Sequence, residues 1–373
     1  MQFIDLKSQQ KKIRKKIEAR LNNVLDHGQY IMGQEISELE NQLAKFVDCK
    51  HAIGVSSGTD ALLLALMSYD IGPGDAIITT PFTFISTVEV ICLLGATPVF
   101  VDINPDTYNI DSLAIEDTIL KCKNEPYHVR GIIAVDLFGL SADYDTINDV
   151  AKRYNLFVIE DAAQSFGATY HDHRTCALAD ISCTSFFPAK PLGGYGDGGM
   201  CFTNDDAHAA KIKSLMLHGQ GSHRYEHVHI GINGRLDTMQ AAILLEKFDI
   251  FPDELIARQN VANLYTDAFK DHPSIVTPYI PMRCQSSWAQ YSIQVESSDQ
   301  RQRLQAYLKN NDIPSAIYYP IPIHQQPAFK NKTNESFPVS EAVSQRIMSL
   351  PMHPYLSPEQ QSNVIKTVLK GLE

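Results

Sequence analysis

From position 52 to position 161 the chain repeats one alternation: a short apolar run, a turn, then a stretch with helical spacing. Segments 52–55, 76–80, 98–102, 131–135 and 156–161 read as strands, and helical patterns begin after Thr59 and near Thr83, Ser112 and Tyr144. Strands that alternate with helices in this way form a largely parallel, doubly wound sheet, with ligands beyond the carboxyl ends of the strands. An α/β fold is therefore expected. Asp161 falls at such an end, directly after the run Leu-Phe-Val-Ile-Glu. Two readings of it stand: a helix cap, or the acid partner of a cofactor nitrogen.

With 373 residues the chain exceeds one small core, and two unequal domains are expected, divided as 1–250 and 251–373. The change of character comes after a long helical stretch, 252–271. Beyond it lie an expected strand at 291–296, a helix at 300–310, a strand at 315–319 and closing helices at 341–348 and 358–372, which together read as a smaller α+β unit. At the other end, 8–26 reads as an amphipathic helix with Ile13, Ile17, Leu21, Val24 and Leu25 on one face, and 35–46 as a second.

Charge and composition exclude some function classes. A formal net charge of −11 argues against nucleic acid as the main partner, although local cations and helix N-termini can still bind an anion. With 44% hydrophobic residues and no apolar run of membrane length, no membrane partner is expected. Seven cysteines without a C-x-x-C pair suggest neither a disulfide framework nor a zinc site, and the chain reads as cytoplasmic. His218, His223, His227 and His229 cluster in one irregular segment, and hydrogen-bonding loop histidines are expected there rather than a metal.

Two segments carry candidate chemistry. In Ser56-Ser-Gly-Thr-Asp-Ala61 a small polar turn opens an apolar helix, offering either an ordinary N-cap or a phosphate seat at Gly58 and Thr59. In Ser185-Phe-Phe-Pro-Ala-Lys-Pro-Leu-Gly-Gly-Tyr-Gly-Asp-Gly-Gly199 a single lysine, Lys190, is fenced by two prolines and a run of glycines. It is a surface lysine on a turn or the Schiff-base amine of a carbonyl cofactor.

Five motifs occur in order: S-S-G-T-D-A, P-F-T-F-I-S-T, E-D-A-A-Q-S-F-G, S-F-F-P-A-K-P-L-G-G-Y-G-D-G-G and G-I-N-G-R-L-D-T-M-Q-A-A. Together they resemble the DegT/DnrJ/EryC1/StrS family of nucleotide-sugar aminotransferases over nearly the whole chain. That resemblance implies the aspartate-aminotransferase fold (fold type I), pyridoxal 5'-phosphate as cofactor and a homodimer. The details H-G-Q-G and G-I-N-G-R-L-D-T are similar to the branch that aminates C3 of UDP-2-acetamido-3-keto-glucuronic acid with glutamate, in O-antigen biosynthesis. Carried over by residue, it implies that Lys190 binds the cofactor covalently and Asp161 pairs with its ring nitrogen. Gly58, Thr59 and Ser185 would hold the phosphate, Phe84 would stack on the ring and Gln164 would meet the ring oxygen. Asn233 and Arg235 would reach over the partner subunit's site, to phosphate and substrate respectively. Tyr318 and Tyr319 would lie on the substrate side, Tyr318 standing where histidine is expected in close relatives. Three further readings are weighed. A dehydratase of the same family is disfavoured by Lys190, where such relatives place histidine; the others are a dTDP-keto-sugar aminotransferase and a non-catalytic nucleotide-binding protein.

Overall fold

A strand covered on both faces needs no polar alternation, and the runs of Ile, Val and Ala in this chain become such strands. The computed structural model describes residues 1–329 and 335–373. In chain order the strands are β1 (His51–Val55), β2 (Asp75–Thr79), β3 (Thr97–Phe100), β4 (His128–Val135), β5 (Phe157–Asp161), β6 (Thr169–Tyr170), β7 (His173–Arg174), β8 (Ile181–Ser185), β9 (Gly199–Thr203), β10 (Cys284–Gln285), β11 (Tyr291–Gln294) and β12 (Ile347–Leu350). Seven of them make the main sheet, in the order β1-β9-β8-β5-β4-β2-β3. β9 pairs antiparallel with both β1 and β8 while the remaining pairs are parallel, so β9 alone runs against the others.

Alternation along each strand divides the core. Ile133 and Ile159 face one apolar layer; Ile132, Ala134 and Val158 face the other. The helix Gly58–Ser68 lies in the first layer, its start fixed by Ser57, whose side chain accepts the Asp60 N–H at 3.0 Å. The helix Leu6–His27 is capped by Asp5 and stopped by Gly28 in the left-handed region (φ 69°), and Ile13 and Ile17 pack with Ile243. Among the described residues no helix is long and apolar enough to cross a membrane.

The helix Phe251–Phe269 joins two cores. Phe251 packs with Phe166 and Leu244, whereas Val261, Tyr265 and Phe269 pack with Tyr291, Ile293, Leu304 and Val364. Met1 also packs against the second group.

Two expectations for the C-terminal part are corrected. The segment 315–319 is not a strand: only Ala316 pairs, with Ser349, because Pro314 and Pro320 bound the run and proline lacks the N–H that a ladder needs. The helix expected at 341–348 is Pro338–Arg346, and the buried run Ile347-Met-Ser-Leu350 is β12, paired antiparallel with β11. A short apolar run carries no period that separates strand from helix. The three-stranded ribbon β10-β6-β7 was not foreseen.

Candidate active site

β5 delivers Asp161 to the carboxyl edge of the sheet. Alternation puts it on the face of Ile159, with Glu160 on the opposite face beside Val158. Asp161 is buried, with 5% of its surface exposed. Its Oδ2 accepts a hydrogen bond from Thr87 Oγ1 at 2.7 Å, and its Oδ1 accepts the Ala163 N–H at 3.2 Å. Residues 162–167 form turns, so the helix-cap reading has no helix to cap. Burial pushes the Asp161 carboxyl above its ordinary pKa, while Thr87, the Ala163 N–H and the positive charge of Lys190 pull it back.

Lys190 sits on the loop between β8 and β9, at the same edge. The loop is laced by its own backbone: Phe186 N–H donates to Gly198 at 2.8 Å, Gly194 N–H to Phe186 at 2.7 Å and Lys190 N–H to Phe187 at 2.9 Å. Phe186 and Leu192 anchor it in the core. The glycines serve space rather than dihedral freedom. None between 193 and 199 has positive φ, but a Cβ on Gly193 would lie 2.5 Å from the Phe187 carbonyl oxygen. Burial lowers the Lys190 pKa against the pull of Asp161, which favours the uncharged, nucleophilic amine.

Beside this loop, the start of the helix Gly58–Ser68 meets the end of β8. A Cβ on Gly58 would fall 2.7 Å from Ser185 Cβ, so glycine lets the helix terminus and the Ser185 side chain share one cradle. Ser57 occupies the Asp60 N–H, leaving the Gly58 and Thr59 N–H groups to other acceptors at the positive end of the helix. Such a seat suits a phosphate.

Gln164 and Tyr319 form the other wall. Gln164 Oε1 accepts the Phe138 N–H at 2.7 Å, and its Nε2 donates to the Tyr319 hydroxyl at 3.1 Å. Burial holds that hydroxyl in its protonated form. Phe84 is 54% exposed, its ring 6.4 Å from that of Tyr319 and tilted by 40°. Tyr318 stands edge-on to Tyr319 at 6.0 Å and also faces Phe3 at 6.4 Å.

Asn233 and Arg235 enter differently. Their segment lies along β1: Arg235 pairs with Val55, Ser56 N–H donates to the Gly234 carbonyl at 2.9 Å, and Asn233 pairs with Leu217. Asn233 is exposed, and Arg235 Nε is buried without a hydrogen-bond partner among the described residues. The structure thus gathers Asp161, Lys190, Gly58, Thr59, Ser185, Gln164, Tyr319 and Phe84 around the sheet edge, and sets Asn233 and Arg235 on a separate strip. Sequence reasoning missed Thr87 and its neighbour Thr83, whose hydroxyls are 3.0 Å apart. Their i, i+4 spacing in P-F-T-F-I-S-T was the available signal.

Comparison with known proteins gives the family. Residues 11–369 match the model of the DegT/DnrJ/EryC1/StrS aminotransferase family. The chain is 48% identical to a UDP-2-acetamido-2-deoxy-3-oxo-D-glucuronate aminotransferase of Pseudomonas aeruginosa, over 95% of this chain and 96% of that protein. It superposes on the crystal structure of a DegT DnrJ EryC1 StrS aminotransferase from Brucella abortus with TM-score 0.96 and 45% identity, covering 99% of each chain. NtdA of Bacillus subtilis, solved with bound cofactor PMP, matches with TM-score 0.90 and 28% identity over 99% of this chain and 83% of that one.

Proposed function

Because the chain belongs to the DegT/DnrJ/EryC1/StrS aminotransferase family, we propose that it moves the amino group of glutamate to C3 of UDP-2-acetamido-2-deoxy-3-oxo-D-glucuronate. Its cofactor is pyridoxal 5'-phosphate. The observation that carries the reading is the pairing of a buried carboxyl at the end of β5 with a lysine of lowered pKa on the adjoining loop.

When bound, the cofactor supplies a carbonyl that condenses with amines and a ring that delocalises the electron pair left at Cα. The residues fit it. The helix start at Gly58 and Thr59, with the Ser185 hydroxyl, would seat the phosphate, and Lys190 Nζ would anchor the group covalently. Asp161 would hold a proton on the ring nitrogen, its orientation fixed by Thr87 and Ala163. Phe84 would cover one ring face, and Gln164, steadied by Phe138 and Tyr319, would meet the ring oxygen. Lys190 Nζ, at the same sheet edge, would also be the base that takes the proton from the substrate Cα.

The substrate end of this reading needs a second copy of the chain. Arg235 would pair bidentately with the uronic carboxylate bound at the partner's cofactor, and Asn233 would reach the partner's phosphate. Support comes from an Arg235 Nε without a hydrogen-bond partner among the described residues, preceded in sequence by the exposed Tyr225, Val228 and Ile230. Tyr318 and Tyr319 would close the sugar side. The test is to incubate purified protein, glutamate and matched UDP-3-keto sugars and follow the products by mass spectrometry. A mass shift of keto to amine with the uronate, and much less with a sugar lacking the carboxylate, supports the reading. Equal kcat/KM for the two sugars would remove Arg235 from its role.

A further inference from the structure

Two carboxyls lie under the sheet edge that no catalytic step uses. Asp136 follows β4 and Glu160 precedes Asp161 on β5; both have no exposed surface. Among the described residues no cation is bonded to either. Asp136 Oδ1 accepts the Ala142 N–H and the Tyr144 hydroxyl, each at 2.9 Å, and Oδ2 accepts the Ser165 hydroxyl at 2.7 Å. Glu160 accepts the Cys176 N–H at 2.7 Å, the Leu178 N–H at 3.2 Å and the Ser182 hydroxyl at 2.6 Å. Asp136 lies one step beyond the Val135–Asp161 pair of β4 and β5, so strand alternation puts its carboxyl on the Glu160 face of the sheet, and two buried acids side by side do not both ionise: one keeps a proton.

We propose that Asp136 is a positioning residue: a protonated acid beside Glu160 that, through Ser165, holds the 163–167 turn so that Asp161 and Gln164 present their polar atoms to the cofactor site. The proposal rests on the reading of that site given above. Ser165 is the neighbour of Gln164, and the turn is tied on several sides. Thr175 Oγ1 donates to the Ser165 carbonyl at 2.7 Å, Ser287 Oγ donates to the Gln164 carbonyl at 2.9 Å, and the Asp136 N–H donates to the Asp161 carbonyl at 3.1 Å. Asp136 therefore grips both ends of the segment that carries the two polar groups.

The charge balance says which carboxyl carries the proton. Glu160 accepts two N–H groups and a hydroxyl, a set that stabilises an anion. Asp136 has one N–H, two hydroxyls and the field of Glu160 against it. Burial raises both, Asp136 well above the usual carboxylate range. Tyr144, Cys176 and Cys49 also interact with the pair, and burial keeps the Tyr144 hydroxyl and both thiols in their neutral forms. One shared proton leaves the pair with a single negative charge, so Asp161 on the other face can ionise beside one like charge rather than two.

Infrared difference spectroscopy of the cofactor-free protein reads the proton directly. A protonated-carboxylic-acid carbonyl band should persist at neutral pH in the wild type and vanish in Asp136→Asn, which keeps a donor toward Glu160. Asp136→Asn should melt near the wild type and keep its cofactor affinity within about threefold. Asp136→Ala, which removes donor and acceptor together, should weaken cofactor affinity about tenfold by equilibrium dialysis. Wild-type spectra without that band, or a folded Asp136→Asn as impaired as Asp136→Ala, would overturn the proposal. If Lys190→Ala leaves the labelled lysine elsewhere, the cofactor reading fails instead, and the infrared result stands apart from it.

Discussion

Asp161 and Arg235 are both charged residues at the carboxyl edge of the same sheet, one ending β5 and the other paired with the last residue of β1. Their surroundings differ. Both Asp161 oxygens have donors within the chain, whereas Arg235 Nε has no acceptor among the described residues. Around Asp161 the neighbours are buried: Thr87, Gln164, Ser165. Leu236 next to Arg235 is buried, but five and ten positions before Arg235 the apolar side chains open to solvent, with Ile230 at 91% and Tyr225 at 85% exposure. A buried polar group left unbonded costs about 1–3 kcal/mol, so a fold tolerates it where a ligand or another chain will supply the bond. The contrast separates Asp161, whose bonds are made within one chain, from Arg235, whose proposed partner is a substrate held by a second copy.

The largest expected effect tests the Asp161 side of that contrast. Lys190→Ala should abolish turnover while the fold and phosphate-driven cofactor binding survive, because the cradle at Gly58 and Ser185 is untouched. Borohydride trapping and peptide mapping of the wild type should label Lys190; another labelled lysine would break the comparison at its first term. Asp161→Asn comes next. It removes the charge that keeps the ring nitrogen protonated and should slow proton abstraction by roughly a hundredfold to a thousandfold in single-turnover spectra. Near-native half-reaction rates would reduce Asp161 to a structural acceptor for Thr87.

Arg235→Ala probes the other side and should cost about 1.5–3 kcal/mol, hence roughly ten- to over a hundredfold in kcat/KM. The loss should be confined to carboxylate-bearing sugars, with the glutamate half-reaction unchanged. The smallest effect is a pH slope. Lys190 sheds its proton more readily folded than unfolded, so between its lowered pKa and the ordinary lysine value the unfolded chain binds more protons and stability rises with pH. Denaturant titrations of cofactor-free protein should show that rise in the wild type and a flatter profile in Lys190→Met. An unchanged profile would mean that Lys190 is ionised as in water.

Much of the cofactor site was legible in the sequence because it is local. The run before Asp161 is apolar and ends in an acid, and Lys190 is the single lysine of a loop built from glycine and proline. What could not be read was contact between distant positions. Thr87 and Asp161 are 74 residues apart, and nothing in P-F-T-F-I-S-T states which carboxyl its hydroxyl will meet. The same holds for Asp136, whose partners Ser165 and Glu160 lie on the neighbouring strand and its turn. In the C-terminal part the run Ile347–Leu350 is too short to show a period, and pairing with β11 decided its conformation. The glycine run is explained by close packing, of Gly193 against Phe187 and of Gly199 against Ser57, since none of its glycines has positive φ.

Mixing Lys190→Ala and Arg235→Ala homodimers tests the shared site most directly. If each site takes Lys190 from one protomer and Arg235 from its partner, a mixed dimer contains one site with both groups intact. After random re-pairing about half the dimers are mixed, so activity should approach about a quarter of wild type, well above either parent. Re-paired samples verified to contain heterodimers, yet no more active than the average of the parents, would show that each site is built within one chain.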